Sequence, residues 1–152
     1  MFDTIAGLPL HPLIVHGAVI GLPVAALVTV LVAVRPAWRR HTVPVLALNA
    51  VVMVMTWVAM QSGESLQRRV TQFSTPDGLS DHALWGGRLF LLSVVLFLGS
   101  VVLHLVRARS MFASIVALAL VLIGIATIGL TALVGHSGAS MVWKSIVDST
   151  TG

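Results

Sequence analysis

The sequence predicts an all-α integral membrane protein, a four-helix up-down bundle that forms one domain over residues 1–152. Three observations predict this class. Of the 152 residues, 57% are hydrophobic and only 9% are charged, whereas about a quarter of the residues of a soluble domain are charged. Four apolar runs each approach the ~20 residues that cross a bilayer. Two short basic turns and one longer polar connection separate these runs.

The predicted spans cover about 12–34, 43–60, 83–106 and 111–134. Pro12 suits the first position of a helix, where no N–H is needed, so His11 is the predicted cap. Pro23 predicts a bend in the first span. The polar connection over 61–81 has apolar residues at helical spacing between 64 and 73, which predicts a short helix on the membrane surface. No internal repeat is evident.

Arginine is concentrated in the two short turns, which an up-down bundle places on one side. These turns contain Arg35, Arg39, Arg40, Arg107 and Arg109. The acids all fall on the opposite side: Asp3, Glu64, Asp77, Asp81 and Asp148. Cytoplasmic loops of membrane proteins are rich in Lys and Arg. The chain is therefore expected in a bacterial plasma membrane as a multi-pass protein, with both termini on the outer side.

Composition also excludes several classes of protein. The chain has no cysteine, which excludes disulfides, thiolate metal sites and iron–sulfur clusters. The formal charge is +4, but the arginines flank the spans, so lipid headgroups are the expected partners and no nucleic acid is expected. No acid lies inside a span and no serine is paired with a base. A non-catalytic electron carrier or subunit is therefore expected, not an enzyme.

Four histidines are predicted at the outer ends of the helices: His11, His16, His82 and His136. A histidine at a helix end more often caps the helix or meets headgroups than binds a ligand, but four at a similar depth favour a shared site. His11 and His16 are about 140° apart around a helix, so they do not serve one ligand from one face. His16 lies a full turn inside its helix, where a polar ring needs a partner. We therefore expect His16, His82 and His136 to converge, with His11 at the rim.

Three glycines and one arginine accompany these histidines. Gly17, Gly86 and Gly87 leave room either for the edge of a porphyrin or for close packing of helices. Arg88 is the one charge inside an apolar run. It either reaches outward to the membrane surface or pairs with a haem propionate.

Several of these motifs resemble a known family. They are His-Pro-Leu-Ile-Val-His at 11–16, Gln61-Ser62-Gly63, His82, and Gly135-His136-Ser137-Gly138. Over nearly its whole length the chain resembles small bacterial four-span membrane proteins catalogued as domain of unknown function 2231. Members usually have Phe-Pro after the second histidine and Gly-Gly in the closing motif, where this chain has Gly17-Ala18 and Gly138-Ala139. Some relatives are fused to cytochrome c modules, so the resemblance implies a redox setting.

Three functions are consistent with these residues. The first is electron transfer by a b-type haem, which is held by His16 together with His82 or His136. The second is a cofactor-free accessory subunit that packs in a larger membrane complex of respiratory type. The third is a copper or zinc site formed by the same three histidines. The expected partners are the lipid bilayer, other membrane redox subunits or a cytochrome c, and further copies of the chain.

Overall fold

The computed structural model describes residues 4–5, 7–73, 75, 77–106 and 110–150. Its helices are α1 (Leu10–Val34), α2 (Thr42–Val70), α3 (Leu79–Leu105) and α4 (Met111–Thr150). A short hairpin of β1 (Thr4–Ile5) and β2 (Leu8–Pro9) precedes α1, and a 3-10 helix over Pro36–His41 joins α1 to α2. All four α-helices are long and apolar enough to cross a membrane. Arg107 and Arg109, of the second predicted basic turn, lie outside the described residues.

The four helices form a square, which confirms the predicted all-α bundle. α1 packs along α2 and α4, and α3 packs along the same two helices, so α1 and α3 are diagonal partners. Small residues let the helices approach closely, since Ala25, Ala26 and Ala33 are completely buried. The larger core residues, such as Leu22 and Leu96, fill the space between the helices.

Two helices are longer than predicted. α2 does not end near Met60 but continues to Val70, so the segment expected to form a separate surface helix is the last part of α2. α4 continues through Gly135–Gly138 to Thr150. Neither extension contains a proline, and a glycine inside a helix costs only about 1 kcal/mol relative to alanine. The backbone hydrogen bonds therefore continue through both segments.

Two arginine–tryptophan pairs mark the two ends of the bundle. The Arg35 guanidinium lies 4.5 Å from the centre of the Trp38 ring, and the Arg88 guanidinium lies 4.4 Å from that of Trp85. About 20 residues separate Trp85 from the end of α3 at Leu105, which corresponds to about 30 Å, the thickness of the hydrocarbon layer. We call the end that holds Trp38 the arginine end, and the opposite end the histidine end.

Polar side chains inside the bundle face its axis. Among the described residues the buried ones are Thr29, Thr42, Asn49, Thr56, Ser62, Ser93, Ser100, Thr127 and Thr131. Asn49 Nδ2 donates to Thr29 Oγ1 (2.8 Å), to its own helix at the Val45 carbonyl (3.0 Å) and to Ser100 Oγ (3.4 Å). This amide therefore links three helices near the middle of the membrane.

Arg39 stabilises the arginine end of the bundle. Its Nη2 atom donates to the Ala33 carbonyl (2.9 Å) and to the Ala113 carbonyl (3.3 Å). The first carbonyl belongs to the last turn of α1 and the second to the first turn of α4, so one guanidinium joins both helices. A cation is favourable at the C-terminus of α1, where the helix dipole is negative.

The two halves of the chain repeat one pattern of burial. In α1 the buried positions Ala18, Leu22, Ala25, Thr29 and Val32 recur at a constant interval in α3 as Leu89, Ser93, Leu96, Ser100 and Leu103. In α2 the buried positions Thr42, Val45, Asn49, Val52 and Thr56 likewise recur in α4 as Ala117, Leu120, Gly124, Thr127 and Thr131. A pseudo-twofold axis along the bundle therefore relates the hairpins α1–α2 and α3–α4. This corrects the expectation that no repeat exists, because the repeat lies in burial and hardly in residue identity.

Gly124→Ala should destabilise the bundle, and Gly129→Ala on the same helix serves as the matched control. A Cβ atom at Gly124 would lie 2.7 Å from Cγ2 of Val30, whose branched side chain cannot easily move, whereas a Cβ at Gly129 meets nothing within 4 Å. We expect a loss of about 1–3 kcal/mol for Gly124→Ala and a neutral or slightly stabilising effect for Gly129→Ala. Unfolding in mixed micelles, followed by circular dichroism, measures both. Equal effects would contradict this packing.

Candidate functional site

Two histidines meet across the diagonal of the bundle at its histidine end. The centres of the His11 and His82 rings lie 6.5 Å apart, and the ring planes are at 89° to each other. Both side chains are half-buried. His82 precedes Trp85 by one turn of α3, so the pair lies at the boundary between the hydrocarbon layer and water.

The ring of His11 is held by α2. Its Nδ1 atom lies 2.8 Å from the Ala59 carbonyl and 3.4 Å from Ser62 Oγ, and the Ser62 hydroxyl donates to the same carbonyl at 3.0 Å. A carbonyl can only accept, so His11 carries its proton on Nδ1. A Cβ atom at Gly63 would lie 3.0 Å from Cε1 of His11, so the absence of a side chain there gives the ring its space.

The ring of His82 is held by α4 in the same way. Nδ1 lies 2.8 Å from Ser137 Oγ, and the Ser137 hydroxyl donates to the Val134 carbonyl at 2.9 Å. Ser137 has used its one proton, so it accepts from Nδ1–H of His82. A Cβ atom at Gly138 would lie 3.1 Å from Cε1 of His82.

The pseudo-twofold axis passes through the site. Each histidine has a carbonyl, a serine and a glycine beside it, and the two sets are related by the same interval that relates α2 to α4: Ala59 and Val134, Ser62 and Ser137, Gly63 and Gly138. In both rings the proton on Nδ1 leaves the lone pair on Nε2. Histidines that bind metals are usually held in this way, with the other ring nitrogen donating to a protein oxygen.

Neither His16 nor His136 takes part in this pair, which corrects the expectation that they converge with His82. The ring of His16 is exposed, and its Nδ1 atom is bonded to the Pro12 carbonyl of its own helix. His136 is also exposed, and it lines a shallow cleft of about 300 Å³ along α4 with Trp143 and Lys144. Depth along the helix does not decide which histidine faces the axis, because that depends on the rotation of each helix.

The remaining predicted site residues have other surroundings. A Cβ atom at Gly17 would overlap the methyl group of Met55, so Gly17 serves the packing of α1 on α2. Gly86 and Gly87 have open space where a Cβ atom would lie. Arg88 is exposed and stacks on Trp85, which fits an arginine that reaches toward the membrane surface.

The sequence contained a signal for the residues that the prediction did not single out. Ser62-Gly63 and Ser137-Gly138 are the same dipeptide, and the interval from His11 to Ser62 is similar to the interval from His82 to Ser137. When the two halves of the sequence are aligned on His11 and His82, the two Ser-Gly dipeptides differ in position by only about one helical turn.

The fold and the site together define a four-helix membrane protein that carries a symmetrically supported pair of histidines at one end of its bundle. The chain belongs to the family described as predicted membrane protein DUF2231, whose sequence profile matches residues 7–151. No curated protein matches the chain. No solved structure matches it either.

Nitrogen NMR of labelled histidine should find Nδ1 protonated and Nε2 unprotonated in the neutral rings of His11 and His82. Nδ1 of His11 faces the Ala59 carbonyl, which can only accept, and Nδ1 of His82 faces the Ser137 hydroxyl, whose own proton goes to the Val134 carbonyl. Ser137→Ala should change the shifts of His82 and leave those of His11 unchanged, and Ser149→Ala, on the exposed end of α4, is the control. A proton on Nε2 of either ring would contradict the assignment.

Proposed function

We propose that the protein binds a b-type haem at its histidine end and transfers electrons, with His11 and His82 as the two axial ligands. One observation carries the proposal: two histidines from diagonal helices adjoin, and the Nδ1 atom of each already donates to the protein. The proposal retains His82 from the sequence analysis and replaces His16 by His11. Iron in a haem supplies reversible one-electron chemistry.

The separation of the rings supports this ligand pair. A metal ion lies about 2.0–2.1 Å from a ligating imidazole nitrogen, which itself lies about 1.2 Å from the centre of its ring. Two imidazoles on opposite sides of one ion therefore have their centres about 6.4 Å apart. The observed separation is 6.5 Å. The separation of the ring centres therefore agrees with two imidazoles that bind one ion from opposite sides.

The number of ligands favours haem over a bare metal ion. Among the described residues, no group of three or more His, Cys, Asp or Glu side chains is placed to hold a metal. Structural zinc sites need four ligands and catalytic zinc sites need three from the protein, whereas a haem iron takes four from the macrocycle and only two from the protein. Two histidines fill the last positions on iron, which favours electron transfer over oxygen chemistry.

His11→Ala and His82→Ala should each remove most of the haem. His16→Ala and His136→Ala are the matched controls, because both rings are exposed and neither belongs to the pair. Reduced-minus-oxidised absorption spectra of the purified proteins, together with extracted haem per chain, measure the effect. Wild-type protein without haem, or unchanged spectra in both pair variants, would overturn the proposal. A colourless wild type would favour the accessory subunit.

The same proposal gives the protein an orientation in the membrane. We place the arginine end in the cytoplasm of a bacterium and the histidine end on the outer side of its plasma membrane. The support is the set of five arginines in the two short turns of the sequence, Arg35, Arg39, Arg40, Arg107 and Arg109, which outnumber Arg68, Arg69 and Arg88 on the other side. The haem would then exchange electrons with partners on the outer side, such as a cytochrome c or other membrane redox subunits.

Reporter fusions test the orientation. Alkaline phosphatase fused after Thr150, which is active only outside the cytoplasm, should be active, and the same enzyme inserted after Arg40 should be inactive. A fluorescent protein that matures only in the cytoplasm should give the opposite pattern at the two positions. Activity of the phosphatase at Arg40 alone would reverse the proposed orientation.

A further inference from the structure

We propose that two copies of the chain pair through the outer face of α4, side by side and in the same direction in the membrane. The contact is centred on residues 139–150 of α4, which we call the α4 extension. The extension lies beyond the histidine pair, since His82 is held by Ser137 and Gly138 just before it. The pairing is therefore separate from the proposed electron transfer.

The α4 extension projects out of the hydrocarbon layer. Ser137 contacts His82 at the boundary of that layer, and α4 continues from there to Thr150 without a break. This remaining part of the helix measures about 20 Å, whereas the headgroup layer is only about 5–8 Å thick. Water therefore surrounds at least the second half of the extension, where lipid tails cannot cover an apolar side chain.

One face of the α4 extension is apolar and exposed. This apolar face consists of Ala139, Val142, Trp143 and Ile146. The exposed fraction is 62% for Val142, 59% for Trp143 and 50% for Ile146. Lys144 and Asp148 lie on the opposite side of the helix, so no charge interrupts the apolar face. Large exposed apolar side chains that adjoin one another in water indicate a surface that binds a partner.

The apolar face continues into the membrane with a regular spacing. Apolar residues follow one another along α4 at alternating intervals of three and four residues: Leu118, Val121, Ile125, Ile128, Ala132, Gly135, Ala139, Val142 and Ile146. This is the heptad spacing of helices that pack along each other, and a stable pair typically needs about three to four heptads. The stripe is about four heptads long. Its small members Ala132, Gly135 and Ala139 allow two backbones to approach closely.

The surface beside the apolar face is shaped to receive side chains of another helix. The shallow cleft of about 300 Å³ along α4 is lined in part by His136, Ala139, Ser140 and Trp143. Residues at these spacings surround a hole on the surface of a helix, and a side chain from a facing helix fills such a hole in a coiled coil. The cleft and the apolar face share Ala139 and Trp143, so one neighbouring helix would cover both.

A second copy of the chain is the occupant that matches this face. Copies in one membrane share one orientation, so a twofold axis along the membrane normal places their α4 helices in parallel with equal residues at equal depth. In that arrangement the heptad spacing matches itself, and the uncharged face meets no like charge. The end of α2 offers no such face, because Arg68 and Arg69 are exposed there and would repel the same residues of a second copy.

Cysteine cross-linking in membranes of the expressing cells tests the pairing, because the chain has no cysteine of its own. Val142→Cys and Ile146→Cys lie on the apolar face, and Lys144→Cys and Asp148→Cys on the opposite side are the matched controls. A disulfide needs Cα atoms within about 7 Å of each other. Mild oxidation should therefore link two copies through Cys at 142 or 146 at least about fivefold more than at 144 or 148.

Equal cross-linking at the four positions, or none at 142 and 146, would overturn the proposal. A product that joins the chain to a protein of different mass, in place of the dimer, would overturn the choice of a second copy.

Ile146→Glu should separate the two copies, because it places two carboxylates opposite each other in the contact. Lys144→Glu is the control, since it introduces the same residue on the other side of the helix. Light scattering in a mild detergent should find dimers of the wild type and of Lys144→Glu, and a dissociation constant raised about tenfold or more for Ile146→Glu. The extension lies outside the bundle, so circular dichroism should be unchanged.

Monomeric wild-type protein at every concentration, or an unchanged dissociation constant for Ile146→Glu, would contradict the pairing. Neither measurement requires a bound cofactor, so the result does not depend on whether the histidine pair holds a haem.

Discussion

The hydrocarbon layer offers no hydrogen-bond partner, and this constraint fixes the rotation of each helix. Asn49 must find its partners inside the bundle, so Thr29 of α1 and Ser100 of α3 turn toward the axis. His11 precedes Thr29 in α1 by the same interval by which His82 precedes Ser100 in α3. That interval makes about five full turns of the helix, so His11 lies on the same face of α1 as Thr29, and His82 lies on the same face of α3 as Ser100. The amide in the middle of the membrane thereby directs both histidines to the axis.

The repeated hairpin supports the two histidines in equivalent ways. Each ring meets a carbonyl, a serine and a glycine from the helix that follows it in the chain, and the separation between histidine and serine is similar in the two halves. Hydrogen bonds to Nδ1 fix both the tautomer and the orientation of a ring, so less freedom is lost when Nε2 takes a ligand. The space between the two rings is therefore bordered by two groups of the same chemistry.

Much of the fold could be predicted from the sequence, whereas the site could be predicted only in part. The four spans and the up-down bundle follow from apolar runs that only helices can bury in lipid. The place of His82 at a helix start predicts its role, whereas the depth of His16 inside its helix favours the wrong member of the pair His11 and His16. His11 lies on the same face of α1 as Thr29, and this shared face indicates that His11 points to the axis. Gly135 and Gly138 suggest the end of a helix, but α4 continues through them. The free-energy cost of two glycines inside a helix is small compared with the many hydrogen bonds of a long helix. The bound cofactor stays a prediction, because two histidines can ligate several metals.

One pair of positions breaks the pseudo-twofold symmetry at the centre of the membrane. Where α2 has Asn49, α4 has Gly124, whose missing side chain makes room for Val30 of α1. If two identical hairpins on separate chains formed the bundle, any substitution would appear twice at the axis. Two amides would then compete for the same small space. A single chain that contains both hairpins escapes this coupling. Mutation can change the environment of one histidine and leave the other as it was, so the two rings are free to evolve separately.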